Sequence, residues 1–562
     1  MIFYDFILSA IKQKLGIENL VLEIPKDKSF GDFATNVAMQ LAKSERKNPK
    51  DVAAAMITKI REIDFIDSVD VANPGFININ IKNDFIIKFI NSTTPALCAT
   101  PSPAKGISLV IDMDYGSYNV AKALHIGHFR GSIVGDTFYR VARFLGHRPI
   151  SYNHMGDWGK PMALVIAWIM KEFPNEWNRP DFEINAAEFN GYYPAAAKYA
   201  KENPEFEELV LGIKKEFQDG RADYFALYEK FLKISLAEMD GVVRRLNIVP
   251  FDNNLGERNA AKYLTPVEEI LGGKNLLRSS GGATIIDLKT ESDAAPMPPF
   301  MFYDSRGADT YDSTDLAAVY YRKITDAPDK IIYISDFRQN LHFEQLFRAS
   351  EMAGIMPQSA LEALGYGSIN GADGKPLKTR DGTAATLGDI IDMAEDAVRA
   401  RVSDGGKSLP EETIKMIALA ALKFNDLMHD LKSSYVFDPA AVTNFEGRTG
   451  PYILYTAVRI NSALKKSQFA NRDSRIEDIS DEYGRGLMLK ILEFPRMIQT
   501  AFEKRATDIL ANYAYDLCQM ANGFYHNRRI ADDMNGCAIA RKAAETLALC
   551  VDLMGLKIPD EM

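Results

Sequence analysis

The apolar run Ile107-Ser108-Leu109-Val110-Ile111 leads through a polar loop into Ser117-Tyr118-Asn119-Val120-Ala121-Lys122-Ala123-Leu124-His125-Ile126-Gly127-His128, and the pattern of this stretch decides the fold. The first five residues favour β structure, an amphipathic helical pattern runs from Gly127 to Leu145 and stops at Gly146, and Arg148-Pro149-Ile150-Ser151-Tyr152 reads as a second strand. That order is a βαβ unit, which sets a helix N-terminus at the carboxyl end of a parallel sheet, where a phosphate-sized anion binds. His125 and His128 stand at that N-terminus, where imidazoles, neutral or cationic, and free backbone N–H groups can donate to phosphoryl oxygens. Gly127 between them leaves room for a nucleotide on the backbone. An isolated His-x-Gly-His is more often a cap or a packing feature; its place at a strand-loop-helix turn favours a ligand.

Bulk properties set the class. The chain has 562 residues, enough for three or four domains, and 47% hydrophobic with 25% charged residues is ordinary for a globular protein. A net charge of -10 argues against a nonspecific nucleic-acid coat, so any basic surface is local. Cys98, Cys518, Cys537 and Cys550 have no close-paired ligand spacing and read as reduced packing residues, with no structural metal expected. Met1 to Gly16 is an amphipathic helical pattern without the apolar core of a signal peptide, and no uncharged span of about 18 apolar residues occurs, so a cytoplasmic protein without a membrane partner is expected.

The flanks of the first motif add detail. Ser117, Asn119, Val120, Ala121, Lys122, His125, Gly127, His128 and Arg130 are followed by Asn153, His154, Gly156, Asp157, Trp158 and Gly159. This resembles arginyl-tRNA synthetases, class I aminoacyl-tRNA synthetases that read Ser-Pro-Asn-Val-Ala-Lys-x-x-His-x-Gly-His-x-Arg and then Asn-His-x-Gly-Asp-Trp-Gly. Tyr118 stands where that family usually has Pro. The resemblance implies an α/β fold: a Rossmann-like class I catalytic domain with a helical insertion, a small α+β N-terminal domain and an all-α C-terminal anticodon-binding bundle.

In chain order, residues 1–95 read as the α+β module. Helical periodicity from Phe3 to Leu15 is followed by a short strand at Leu20 to Pro25, and Val69 to Ile81 closes the module as two alternating strands around a turn. Its Gly31-Asp32-Phe33-Ala34-Thr35-Asn36 run resembles the family's tRNA-contacting N-terminal domain. Thr93 to Pro103 reads as a linker. The catalytic domain is expected over 105–390, interrupted at about 162–296 by charged amphipathic helices such as Phe206 to Phe217 and Tyr224 to Leu246. Lys330 to Ser335 reads as a buried parallel strand, with a helix from Phe343 to Ala353. Residues 395–562 show strong helical periodicity, including Pro410 to Lys432, Pro451 to Lys466, Gly484 to Phe502, Ala506 to Phe524 and Cys537 to Met554. Tyr452 and Tyr455, taken singly, read as core residues at helical spacing.

A guanidinium substrate calls for carboxylates in forked geometry beside an aromatic or hydroxyl group. By motif position the resemblance puts Asp114, Tyr311 and Asp315 on the arginine side chain, and Asn119 and Gln339 on its backbone groups. The family usually carries Glu where Asp114 stands, one methylene longer. Asp373-Gly374-Lys375-Pro376-Leu377-Lys378-Thr379-Arg380-Asp381-Gly382 is a glycine-bracketed basic loop suited to a leaving pyrophosphate, and it resembles the degenerate second signature Gly-Lys-x-x-Lys-Thr-Arg-x-Gly. The expected catalytic residues are therefore His125, His128, Lys122, Lys375 and Lys378, with ATP held by His125, Gly127, His128 and Lys378. The resemblance implies ATP with Mg2+ as the substrate complex, tRNA(Arg) and arginine as partners, and a monomer. Two other classes fit fewer of these residues: an adenylate-forming ligase of the same fold, which lacks the helical C-terminal part, and a non-catalytic tRNA-binding paralogue, for which loss of a histidine or of the lysine loop would speak.

Overall fold

Helix Phe3–Leu15 opens the chain and packs near a small antiparallel sheet of β1 (Phe33–Thr35), β2 (Ile66–Ala72) and β3 (Phe76–Ile81), in spatial order β1-β3-β2. The structure is a computed structural model and describes residues 2–25, 27–92, 107–293, 295–375, 377, 385–406, 408–470, 475–528 and 530–562. The expected linker at Thr93 to Pro103 lies outside the described residues, as do Cys98, Lys378, Thr379 and Arg380. In β3 the period of two sends Ile77, Ile79 and Ile81 into the core, each fully buried or nearly so. The strand expected at Leu20 to Pro25 is only an extended segment: Leu20 and Leu22 are buried, but pairing is limited to one bridge from Glu23 to Ala34. The sheet strand is instead Phe33-Ala34-Thr35, inside the glycine-led motif. Asp32 of that motif is buried and takes both ends of the Arg485 guanidinium at 2.7 Å, which ties the module to the C-terminal bundle.

The second sheet holds the chemistry. Its strands β4 (Val110–Asp114) and β5 (Arg148–Tyr152) are parallel and joined by the helix Gly127–Phe144, the crossover expected from the sequence. Gly146, with φ 81°, ends that crossover by donating to Arg143 O at 3.0 Å, and Pro149 is tolerated because β5 is an edge strand. Gly135 lets the helix lie against the end of β4, since a Cβ there would come within 2.1 Å of Tyr115 Cγ.

After β5 come helices Lys160–Glu172, Ala186–Glu202, Pro204–Gln218 and Ala222–Arg245. The insertion is not helical to its end. Residues Leu277–Ser280 (β6) and Ala283–Ile286 (β7) form a hairpin that pairs with Phe300–Tyr303 (β8) in a three-stranded antiparallel sheet. Gly281 and Gly282, both at positive φ, make its turn, and the strands are too short and too exposed for a periodicity reading to catch. The parallel sheet then resumes with β9 (Lys330–Asp336) and β10 (Leu361–Tyr366), giving the order β10-β9-β4-β5. From β4 the chain winds outward one way and from β9 the other, so the topological switch point lies at the carboxyl ends of β4 and β9.

Strand β11 (Ile369–Asn370) pairs in parallel with β12 (Tyr435–Val436), and the remaining chain is helical, with long helices such as Glu411–Leu427, Gly450–Lys466, Glu482–Glu503, Thr507–Asn527 and Met534–Leu553. Cys518, Cys537 and Cys550 are buried in this bundle. The joint between bundle and catalytic sheet is a buried ion pair: Arg130 Nε lies 2.9 Å from Asp426 Oδ1, with side chains 2% and 0% exposed. Arg130 also donates to the carbonyls of Gly367 and Ser433, and Tyr435 donates to Asp426. Removing one member strands a buried charge. Asp426→Ala is expected to cost about 3–5 kcal/mol of stability, seen as unfolding at lower denaturant; an unchanged midpoint would contradict the role of this joint.

Candidate functional site: a carboxylate-lined cavity at the sheet switch point

A cavity of about 390 Å³ opens at the carboxyl ends of β4 and β9, and Asp114, Asn119, Tyr311, Asp315 and Gln339 all line it. These five are scattered over more than two hundred positions of sequence; Asn119 lies in the loop between β4 and its helix, and the other four sit where a strand ends or a helix begins. Asp114 is the last residue of β4, Asp315 and Tyr311 open the helix Tyr311–Thr325, and Gln339 ends a single turn after β9. That helix starts on a capping box in which Thr310 accepts from Ser313 N and Ser313 accepts from Thr310 N, so its first turn is held in register. The helix cap accounts for the Thr310 and Ser313 hydroxyls and leaves the carboxylate of Asp315 for the cavity.

Asp315 is the electrostatic centre. His154 Nε2 lies 2.9 Å from Asp315 Oδ1 and His342 Nε2 lies 2.6 Å from Oδ2, while His342 Nδ1 is 3.1 Å from Asp312. Burial opposes charge on both imidazoles, but the carboxylates outweigh it, Asp315 for His154 and Asp312 together with Asp315 for His342, and raise both to about 9. The same two partners overcome burial to hold Asp315 well below the usual carboxylate range. Tyr311 is 59% exposed at the mouth, with its ring 4.7 Å from that of His342.

Glu257 also lines the cavity and makes no side-chain hydrogen bond to a described residue. Burial, countered by His154 and reinforced by Asp315 and Asp157, pushes its carboxyl up to about 8. The sequence reading missed it; the only signal was an Asp252-Asn253-Asn254 polar loop directly after the apolar Ile248-Val249-Pro250-Phe251. His154 and His342 were visible in the motifs but carried no assigned role.

Asp114 does not stand alone in the cavity wall. Its Oδ2 receives a hydrogen bond from Arg322 Nη2 at 2.5 Å, and its Oδ1 has no partner among the described residues. Asn119 is anchored by backbone pairing to Gly156, and Asn153 Oδ1 accepts from Tyr118 N at 3.2 Å. Tyr118, where a proline would stiffen the loop, is fully buried with its hydroxyl 2.8 Å from Ser132 and its ring edge-on to His128 at 5.7 Å. Tertiary anchoring thus replaces ring rigidity. Ser117 and Ala121 hold φ of 48° and 60°, strained positions for non-glycine residues within this loop.

Beyond Asn119 the loop reaches the two imidazoles, with ring centroids 4.1 Å apart. His125 Nδ1 accepts from Gly127 N at 3.0 Å and His128 Nδ1 accepts from His125 N at 3.2 Å. A nitrogen that accepts an N–H carries no proton, so in each ring the proton sits on Nε2. Burial, with Lys122 and Arg338 nearby, lowers His125, and burial with His125 beside it pushes His128 down to about 3. Both are neutral Nε2–H donors. The expectation of free backbone donors at this helix start is corrected: the N–H groups of Gly127, His128 and Phe129 are already bonded to His125 Nδ1, His125 O and Ile126 O. Gly127 has a local reason too, since a Cβ there would meet the His125 ring at 2.7 Å.

The basic loop returns to this same turn. His125 bridges Thr386, Ile126 N donates to Ala385 O at 3.4 Å and Leu387 N to Leu124 O at 2.8 Å. At its other end β11 leads out from Gly367, which Arg130 grips, and Tyr366 donates to Gly127 O at 2.8 Å. Both stems of residues 371–386 are therefore stitched to the helix that bears the histidines. Lys375 is exposed in the loop, and Lys378 lies outside the described residues. Lys122 rests over the Tyr193 ring at 4.2 Å, close enough to depress both imidazoles.

Residues 102–439 match the family model described as "tRNA synthetases class I (R), catalytic domain", residues 5–81 match "Arginyl tRNA synthetase N terminal domain", and residues 453–562 match "DALR anticodon binding domain". An arginine–tRNA ligase of Alkaliphilus oremlandii is 34% identical over 555 residues, covering 94% of this chain and 94% of that protein. The chain belongs to the arginyl-tRNA synthetase family. An arginine–tRNA ligase of Agathobacter rectalis is 33% identical with the same coverage on both sides. In fold the chain is similar to the arginyl-tRNA synthetase of Plasmodium falciparum, with TM-score 0.82, 24% identity and 100% and 98% of the two chains covered. It is also similar to that of Thermus thermophilus, with TM-score 0.79, 21% identity and both chains covered in full. The class I catalytic domain, the family N-terminal domain and the helical C-terminal domain expected from the sequence are thus all present. No helix among the described residues is long and apolar enough to cross a membrane.

The His154–Asp315–His342 cluster gives stability a defined pH dependence. A histidine raised from 6.5 to about 9 contributes stability that is full below pH 6.5 and is lost as pH rises through about 9. Asp315, depressed, contributes above its unfolded value and loses it only in acid. Denaturant midpoints are therefore expected to fall between pH 6.5 and 9, and Asp315→Asn to flatten that fall; an equal slope in the variant would contradict the pairing.

Proposed function

We infer that this protein is an arginine–tRNA ligase: it activates arginine with ATP to arginyl-adenylate, releasing pyrophosphate, and transfers the arginyl group to the terminal adenosine of tRNA(Arg), releasing AMP. The observation that carries this is the cavity at the switch point, lined by Asp114, Asp315 and Glu257 and joined by one loop to a pair of neutral imidazole donors. Asp315, Tyr311, Asp114 and Glu257 read the guanidinium; Asn119 and Gln339 hold the α-amino and carboxylate groups. Carboxylates serve a five-donor planar cation better than any neutral set.

The attacking carboxylate of arginine is ionised at neutral pH, so the first step needs no general base. The residues' task is alignment and charge stabilisation as the carboxylate oxygen bonds to the α-phosphorus and the bond to pyrophosphate breaks. His125 and His128, through Nε2–H, donate to phosphoryl oxygens, while Lys375 and Lys378 on the stitched loop meet the charge on the leaving pyrophosphate, with Lys122 nearby. ATP would enter as its Mg2+ complex, the ion supplying further positive charge to the phosphates. In the second step the 2′-OH of the tRNA's terminal adenosine attacks the mixed anhydride. Binding of tRNA before activation, a monomeric state and a cytoplasmic location complete the reading, and follow from family likeness.

Charging tRNA in parallel with each standard radiolabelled amino acid tests the substrate: arginine alone is expected to be esterified, and esterification of lysine, or of none, would overturn the assignment. His128→Ala is expected to lower kcat by about 10²–10³-fold with tRNA affinity unchanged; a large loss of affinity would place His128 on an RNA surface instead. Arginine binding near pH 7.5 should also release protons, because the added cation favours the ionised form of Glu257, otherwise raised to about 8, and disfavours charge on His154 and His342. Titration calorimetry in buffers of different ionisation enthalpy reads this directly, and proton uptake would contradict it.

A further inference from the structure

We propose that Arg322 is a positioning residue for substrate side-chain recognition, acting through Asp114; this rests on the cavity being the arginine site. Arg322 lies on the helix Tyr311–Thr325, two turns past the residues that face the cavity, and its side chain is 0% exposed. Its guanidinium carbon sits 4.2 Å from the Tyr152 ring centre and 5.4 Å from that of Tyr333, and its Nη2 donates to Asp114 Oδ2. A planar cation held by aromatic faces has little freedom to swing, so it fixes the carboxylate it grips.

The consequence falls on the other oxygen. Asp114 Oδ1 has no partner among the described residues, and Asp114 lines the cavity. One carboxylate would thus be shared between a resident guanidinium on Oδ2 and the substrate's guanidinium on Oδ1. The counter-charge matters because Asp114 is buried beside a second carboxylate, Asp112, while the other cation nearby, His154, is engaged by Asp315. Asp112, on the same face of β4, is close enough to feel both Arg322 and Asp114, and without Arg322 the buried Asp114 carboxylate would have no hydrogen-bond partner among the described residues. Asp114, not Asp112, is the carboxylate that hydrogen-bonds Arg322; neither oxygen of Asp112 has a partner among the described residues. An aspartate, shorter by one methylene than the family's usual glutamate, depends more on what holds it in place.

The test is a double-mutant cycle in aminoacylation kinetics at saturating ATP and tRNA(Arg), with full-length wild type, Asp114→Asn, Arg322→Met and the double variant. Each single change is expected to raise the KM for arginine by roughly 10- to 100-fold, the effect of one lost charge-assisted hydrogen bond, with kcat changed far less. The double variant is expected to be no worse than Asp114→Asn, because Arg322 has nothing left to position. Additive penalties, or an unchanged KM in a folded Arg322→Met protein, would overturn the proposal. Should Arg322→Met fail to fold, Arg322→Lys replaces it: the proposal requires that lysine raise KM in the wild-type background and not in Asp114→Asn, and equal increases in both would sink it. A wild type that charges arginine while the cycle is additive removes only the positioning role; a wild type that does not charge arginine removes the substrate reading and this proposal together.

Discussion

Backbone hydrogen bonds between Leu124-His125-Ile126 and Ala385-Thr386-Leu387 hold together two segments that the sequence keeps far apart. Without them a lysine loop late in the catalytic region would be one more solvated turn, and the imidazole pair an ordinary helix start. With them, the stem of the basic loop is held beside the histidines. The far stem is restrained as well, because Tyr366 and the Arg130–Asp426 pair fasten β10 and β11 to the same helix.

Buried charge follows one logic across the molecule. Arg130 with Asp426 and Arg322 with Asp114 are buried pairs, and Asp315 with two histidines is a mostly buried one at the cavity wall; each supplies an ion with a partner at hydrogen-bond distance. Such pairs add little net stability compared with apolar packing, yet breaking one is expensive, so they fix geometry more than they hold the fold together. The first joins bundle to catalytic sheet; the other two shape the cavity. The anion side is built differently, with neutral imidazoles kept neutral by burial and by each other. A cavity rich in carboxylates thus lies beside a turn of neutral imidazole donors, the electrostatic contrast on which the proposed assignment of arginine to one and phosphate to the other rests.

The sequence made the βαβ unit legible because its periods change cleanly from 2 to 3.6 and back, and a glycine marks the end of the helix. It made Asp114, Asn119, Tyr311, Asp315 and Gln339 legible only as motif positions; that they surround one cavity follows from the parallel order β10-β9-β4-β5, which no local pattern encodes. The β6–β8 sheet was hidden because its strands are four residues long and only β8 alternates between buried and exposed positions, while β6 is mostly exposed and β7 mostly half-buried. Arg322 and Glu257 were hidden for a different reason. Their meaning lies in burial and in the partner each has or lacks, and a charged residue in a sequence is by default a solvated one.

The most direct measurement is a crystal structure of the protein with a non-hydrolysable ATP analogue and arginine. The expected result is a triphosphate lying between His125 and His128 Nε2 at one end and the 371–386 loop at the other, with the guanidinium among Asp114, Asp315 and Glu257. A nucleotide bound away from the two imidazoles, or an arginine whose side chain lies outside that carboxylate cavity, would contradict the convergence on which the rest depends.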